Sequence, residues 1–153
     1  MFNKVCIIGC GLIGSSIARA IRKNHLSSKI VSSNRSDSVN KKVIELKIVD
    51  DSNSDTKKMA EESDLIIIAT PLSSYEDVIL KIKDSLKDGS ILTDVGSVKE
   101  NVISSIEKNV PKNVSWISSH PIAGTEESGP EAGFSALFQN RWCILTPGKK
   151  AKE

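Results

Sequence analysis

Three glycines at positions 9, 11 and 14 set the strongest constraint on this chain. They sit between an apolar, β-branched run (Val5-Cys-Ile-Ile8) and a stretch of helical period that begins at Leu12. A strand that ends in a glycine turn and opens directly into a helix is the first unit of a parallel sheet. In that context the pattern Gly9-Cys-Gly11-Leu12-Ile13-Gly14 becomes a dinucleotide-loop hypothesis. Gly9 permits the tight turn, Gly11 lets backbone approach a pyrophosphate, and Gly14 allows close packing of helix on sheet. The helix start presents N–H groups with no intrahelical partner to the anion. Without the flanking strand and helix, the same glycines would mark only a tight turn.

The rest of the chain repeats the unit. Strands are expected at Lys4–Ile8, Lys29–Ser33, Ile48-Val49, Asp64–Thr70 (ended by Pro71), Ser90–Thr93, Val114–Ser118 and Trp142–Thr146. Helices are expected at Leu12–Lys23, with Ile17, Ala18 and Ile21 facing the sheet, and at Ser38–Leu46, Tyr75–Leu86 and Val98–Lys108. This alternation predicts an α/β, Rossmann-type, doubly wound and mostly parallel sheet. With 153 residues and no internal linker, residues 1–153 read as one dinucleotide-binding domain. Residues 119–141 form a Gly-, Ser-, Glu- and Pro-rich connection, and a connection of that length in a compact domain is usually functional or disordered.

Charge and cysteine content narrow the partners. Lys and Arg number 21 against 19 Asp and Glu, so the net charge of +2 gives no nucleic-acid or membrane footprint. The tail cations Lys149, Lys150 and Lys152 are expected to be solvated. Cys6, Cys10 and Cys143 suggest neither a disulfide framework nor a metal site, which fits a reducing cytoplasm. The opening apolar run is too short and glycine-broken for a signal peptide, and no run reaches membrane-spanning length.

Cofactor choice is read where the second strand ends, at Ser33-Asn34-Arg35-Ser36. An acid there would hold the ribose hydroxyls of NAD. Asn34 in its place, followed by Arg35 and Ser36 as donors, favours NADP over NAD, because nothing repels a 2′-phosphate and two groups can bind it. The competing reading makes Arg35 a solvated side chain and Asp37 the ribose carboxylate, although Asp37 fits equally as a helix cap.

In an open parallel sheet the ligand crevice lies at the carboxyl ends of the strands. Three segments occupy that edge: Ala69-Thr70-Pro71-Leu72, Asp94-Val-Gly-Ser97-Val-Lys99, and Ser118-Ser-His120-Pro-Ile-Ala-Gly-Thr125-Glu126. Ser97 is expected to cap the helix from Val98, a role compatible with pointing the same oxygen at a ligand. Pro121 disfavours the helical region for His120 and should hold it extended at the strand end. A hydrogen-bonded structural histidine is the alternative, and His25 looks like a surface residue.

These last two segments resemble prephenate and arogenate (cyclohexadienyl) dehydrogenases, in their N-terminal nucleotide-binding domain. The resemblance spans essentially the whole chain. It takes in the glycine loop, Ala69-Thr-Pro71, Gly129, Phe134, Leu137-Phe138 and Trp142-Cys-Ile-Leu-Thr-Pro147, and the His-Pro-Ile-Ala-Gly run is its most specific part. It implies oxidative decarboxylation of prephenate or arogenate in tyrosine biosynthesis. By it His120 is the catalytic histidine, accepting a hydrogen bond from the substrate's ring hydroxyl while hydride leaves the same carbon. Ser97 lies near that hydroxyl and the nicotinamide, Thr125 lines the substrate pocket, and Glu126 stands at its mouth. Gly9, Gly11, Leu12, Ile13, Gly14, Asn34, Arg35, Ser36, Ala69, Thr70, Pro71 and Ser97 form the cofactor site.

The resemblance also implies a helical second domain that dimerises and supplies an arginine for a substrate carboxylate. None of Arg19, Arg22, Arg35 or Arg141 matches that arginine, so the chain is expected to be a fragment, poorly active alone, with an apolar face exposed where the second domain would lie. Two other readings compete. A β-hydroxyacid dehydrogenase or imine reductase shares the cofactor half but not the His120 block. A nucleotide-sensing module resembling potassium-transport regulatory domains would need neither His120 nor Ser97.

Overall fold

β1 (Phe2–Ile8) takes the middle of the sheet because it is apolar on both sides. Val5 and Ile7 face one way and Cys6 and Ile8 the other, as strand alternation requires, and all four are buried. Such a strand must be covered by helices on both faces. The computed structural model describes residues 1–147, and Lys149, Lys150 and Lys152 lie outside the described residues.

The remaining elements are α1 (Leu12–Lys23), β2 (Ser27–Ser33), α2 (Asp37–Glu45), β3 (Asp51–Asn53), α3 (Thr56–Ala60), β4 (Leu65–Ile68), α4 (Tyr75–Ile82), β5 (Ile91–Asp94), α5 (Glu100–Glu107), β6 (Ser115–Pro121) and β7 (Cys143–Pro147). The sheet order is β3-β2-β1-β4-β5-β6-β7. All pairings are parallel except β6 with β7, which is antiparallel. This is the expected Rossmann-type, mostly parallel arrangement. Its order reverses between β1 and β4, where the crevice of such sheets opens.

Each face has its own core. Ala18 and Ile21 of α1 and Val43 of α2 pack on Val5, Ile7, Ile30 and Ile67, with Ile17 against them. On the other face Met59 and Ala60 of α3, Ile79 and Ile82 of α4 and Ile106 of α5 surround Ile8, Ile66, Ile68, Leu92 and Trp116. Each fully buried isoleucine or leucine contributes roughly 1.5–3 kcal/mol.

Four local expectations change. Ile48 and Val49 are not a strand. The Ile48 N–H closes on Val43 O at 2.9 Å after α2, and both side chains sink into the core from the turn, so the short strand begins three residues later at Asp51. Helix α4 stops at Ile82 and a 3₁₀ turn (Lys83–Ser85) follows. α3 went unanticipated, although Asp55 caps it by accepting from the Lys58 N–H at 3.0 Å. Finally, α5 starts at Glu100 rather than Val98, with Lys99 as its cap residue, so Ser97 lies in the preceding turn and is not the cap.

Candidate functional site

The glycine loop is built by contact distances that admit no side chain. Gly9 has φ of +95°, and a Cβ there would meet Ala69 O at 2.8 Å and Thr70 Cγ2 at 2.9 Å. At Gly14 a Cβ would lie 2.1 Å from Gly9 O, so the helix start rests on the loop's own carbonyl. Nothing stands within 4 Å of a Cβ built on Gly11, the residue that caps α1. The open side of the loop therefore faces the crevice, with the first amides of α1 unpaired toward it. Ala69, Thr70 and Pro71 form the neighbouring wall. The Ser74 hydroxyl braces it, 2.9 Å from Thr70 Oγ1 and 2.8 Å from Pro71 O. Burial pushes the Cys10 thiol up to about 11, so the loop carries no thiolate near an incoming pyrophosphate.

Asn34 is turned inward. Its Oδ1 accepts the Cys10 N–H at 2.6 Å, and its Nδ2 donates to Asn40 Oδ1 at 2.9 Å and reaches Ser32 and Ser52 hydroxyls at 3.3 Å. Asn40 in turn accepts from Asn34 N at 3.1 Å and from Ser52 Oγ at 2.7 Å, and gives its own amide to Asn34 O at 2.9 Å. Asn34 thus pins the glycine loop to the end of β2. Arg35, Ser36 and Asp37 stand exposed beside it. Asp37 is the first residue of α2 and Ser36 its cap residue, without a side-chain capping bond; the Ser36 hydroxyl pairs instead with Ser38 Oγ at 2.7 Å.

A buried carboxylate organises the other half of the edge. Asp94, fully buried at the end of β5, accepts Gly96 N at 2.9 Å and Lys99 Nζ at 2.8 Å on Oδ2. On Oδ1 it accepts Ser118 Oγ at 2.7 Å and Ser119 N at 3.0 Å. Lys99 also donates to Ser119 O at 2.6 Å, so one ammonium ties the turn that carries Ser97 to the residue just before His120. Tyr75 packs below, donating to Ile68 O at 3.3 Å; burial, and secondarily the Asp94 charge, holds its phenol well above the usual range.

His120 is half-buried inside β6, extended as expected and paired opposite Ile144 of β7, so the strand runs one residue past it, to Pro121, rather than ending before it. By alternation its side chain leaves the sheet on the face of Trp116 and Ser118. Ser97 is exposed at the end of the neighbouring strand. Thr125 and Glu126 are exposed in the following loop, where Thr125 Oγ1 accepts from Glu127 N at 3.2 Å. His25 is exposed at the end of α1. Trp142, Ile144 and Leu145 are exposed on and beside β7, at 83%, 52% and 62%, and alternation puts Ile144 and Leu145 on opposite sides of that strand.

The sequence places Asp94 and Lys99 in a crevice segment without giving either a role, and does not point to Asn40 or Ser52 as site builders. An Asp at a strand end followed five residues later by Lys was the available signal for the first pair. The Asn40–Ser52 partnership has none, since it joins a helix face to an edge strand.

The family model for the nucleotide-binding domain of prephenate dehydrogenase matches residues 17–153. A cyclohexadienyl dehydrogenase from Zymomonas mobilis is 37% identical over 147 residues, covering 96% of this chain and 50% of that protein. A prephenate dehydrogenase from Bacillus subtilis is 34% identical over 151 residues, covering 98% of this chain and 41% of that protein. The crystal structure of Aquifex aeolicus prephenate dehydrogenase with hydroxyphenyl propionate and NAD+ superposes with a TM-score of 0.91 at 28% identity, over 99% of this chain and 53% of that one. The chain spans about half the length of the proteins it matches.

Proposed function

Because the chain belongs to the prephenate dehydrogenase family, as its nucleotide-binding domain, we propose that it forms the cofactor half of an active site for oxidative decarboxylation of prephenate or arogenate in tyrosine biosynthesis. The observation that carries the reading is the Lys99 bridge. It joins the Ser97 turn to the His120 strand end at the same sheet edge as the glycine loop.

The loop suits a nicotinamide dinucleotide: Gly11 leaves open space, and the unpaired amides of α1 attract a pyrophosphate. Gly9, Gly11, Leu12, Ile13 and Gly14 would hold it, with Ala69, Thr70 and Pro71 along its flank and Ser97 near the nicotinamide. When bound, this group supplies the hydride acceptor. NADP is favoured over NAD, since residue 34 is an inward-turned asparagine rather than an acid and Arg35 and Ser36 stand exposed beside it, with Asp37 taken up as the first residue of α2.

His120 accepts the hydrogen bond of the substrate's ring hydroxyl and takes up its proton as the carbon loses hydride. Withdrawing that proton makes the carbon a better hydride donor, an effect worth roughly 10²- to 10⁴-fold. Carbon dioxide then leaves as the ring becomes aromatic, a step that asks little of the protein. Ser97 orients the same hydroxyl, and Thr125 and Glu126 line the pocket and its mouth. The resemblance further implies a homodimer built through a helical second domain.

Calorimetric titration with NADPH and NADH, alone and with prephenate or arogenate present, tests the reading. Tighter NADPH binding, strengthened by substrate, is expected. Absence of binding by either nucleotide would overturn the proposal.

A further inference from the structure

The sheet edge does not account for the cations at the far end of α1. A cleft of about 430 Å³ opens between the C-terminal half of that helix, the turn after α2 and the loop at 133–135. Arg19, Arg22, Lys23 and Lys47 line it, and no carboxylate does. Lys23 lies about 18 Å along the helix axis from Gly11, so this is a different place from the dinucleotide crevice.

The end of α1 explains part of the cluster. Arg22 and Lys23 in the last turn offset the negative end of the helix dipole, and Arg22 is further committed to Asp50 at 2.7 Å. Arg19 sits a turn earlier and its Nε is buried with no hydrogen-bond partner. Lys47 comes from a separate turn, and neither it nor Lys23 has an ion pair among the described residues. A guanidinium nitrogen withdrawn from water and left unpaired is costly. An oxyanion in the cleft would satisfy it once the Arg19 side chain turns toward the opening.

The opposite wall is firmly set. Gly133 lies so close to α1 that a Cβ would fall 2.1 Å from Ser15 Oγ, and the next amide, Phe134 N, donates to Ser16 Oγ at 3.1 Å. This fixes the Phe134 backbone, and Phe134, 43% exposed, lines the cleft beside Ser135. The lining is thus cationic on one side and aromatic on the other.

We propose that this cleft is a second anion site, for a small phosphate-bearing molecule whose phosphate is taken by Arg19, Lys23 and Lys47 and whose apolar part lies on Phe134. Arginine forks match a phosphate's oxygens, and two lysines complete the charge of a dianion.

The test is amide chemical-shift titration of the ¹⁵N-labelled chain, saturated with NADPH to occupy the glycine loop, at constant ionic strength. The probes are inorganic phosphate and phenyl phosphate. Saturable shifts are expected at Arg19, Lys23, Lys47 and Phe134, with phenyl phosphate the tighter. Arg19→Met and Lys47→Gly should each weaken binding about tenfold. Lys47 has φ of +52°, a backbone region where glycine is at ease, so that variant leaves the fold secure. Equal affinity for the two probes would overturn the role of Phe134. No saturable shift at these amides, or unchanged affinity in both variants, would overturn the site.

Discussion

Replacing Asp94 by Asn should destabilise the domain by about 3 kcal/mol, the largest effect expected from any isosteric change at the sheet edge. The carboxylate is fully buried and accepts four hydrogen bonds, one of them from Lys99, whose side chain is only 18% exposed. An amide keeps the shape but offers one acceptor oxygen. Facing that oxygen to Gly96 and Lys99 leaves the NH₂ against Ser118 and Ser119. The serine hydroxyl can rotate to accept, while the Ser119 N–H cannot. The change therefore forfeits one charge-assisted bond, worth about 1.5–3 kcal/mol, and strands a buried donor at about 1–3 kcal/mol. Removing one partner of a buried pair typically costs about 3–5 kcal/mol, and the amide's surviving bonds place the figure at the lower end.

Urea unfolding followed by the fluorescence of Trp116, fully buried in β6, reads this directly. With a urea slope of roughly 1.5–2 kcal/mol/M, the midpoint should fall by about 1.5–2 M. Lys99→Met should cost a similar amount by leaving the carboxylate uncompensated. The double variant should cost less than the sum of the two, by about 1–3 kcal/mol. A loss below about 1 kcal/mol for Asp94→Asn, or additivity within about 0.5 kcal/mol, would refute the view that this carboxylate holds the edge together.

Three further outcomes are expected. In the intact enzyme, His120→Asn should lower turnover by about two to four orders of magnitude with dinucleotide affinity nearly unchanged, and an unaltered rate in stopped-flow or steady-state assays would refute the assignment. Arg35→Asp should move calorimetric preference from NADPH toward NADH, and an unmoved ratio would mean the 2′-phosphate is not read there. Burial raises the Cys10 thiol from 9.0 to about 11 and the Cys6 thiol to about 12. Both favour the neutral form in the folded state. Their stabilising contribution is therefore complete below pH 9 and is lost as pH rises through 11 to 12, which urea midpoints across that range should register and Cys10→Ala should lessen.

The repeating strand–helix alternation was legible because each central strand is apolar on both faces and each helix carries one apolar stripe. Val5–Ile8, Leu65–Ile68 and the Ile17-Ala18-Ile21 stripe needed no tertiary knowledge. Ile48 and Val49 misled for the same reason. Apolarity reports burial, and a turn that dives into the core buries side chains as well as a strand does. Helix starts were less legible where the capping residue bonds elsewhere: Ser97 has the right chemistry for a cap, but Lys99 is drawn to Asp94 and Ser119, and the helix begins after it.

Residue identity told which groups stand at the crevice but not which way they point, and that difference changes the cofactor argument. Read in sequence, Asn34 is a ribose-facing residue that has lost its charge. In the fold it faces the Cys10 amide and Asn40, and its contribution is to set the glycine loop against β2. An aspartate at position 34 could still accept from Cys10, but its second oxygen would oppose Asn40 Oδ1, which already accepts from Asn34 N and Ser52. Introducing an acid at position 34 to favour NAD would therefore also loosen the glycine loop proposed to hold the cofactor. Changing preference at Arg35, which is exposed and outside that network, carries no such penalty, so position 35 rather than 34 is where cofactor choice and loop integrity can be separated.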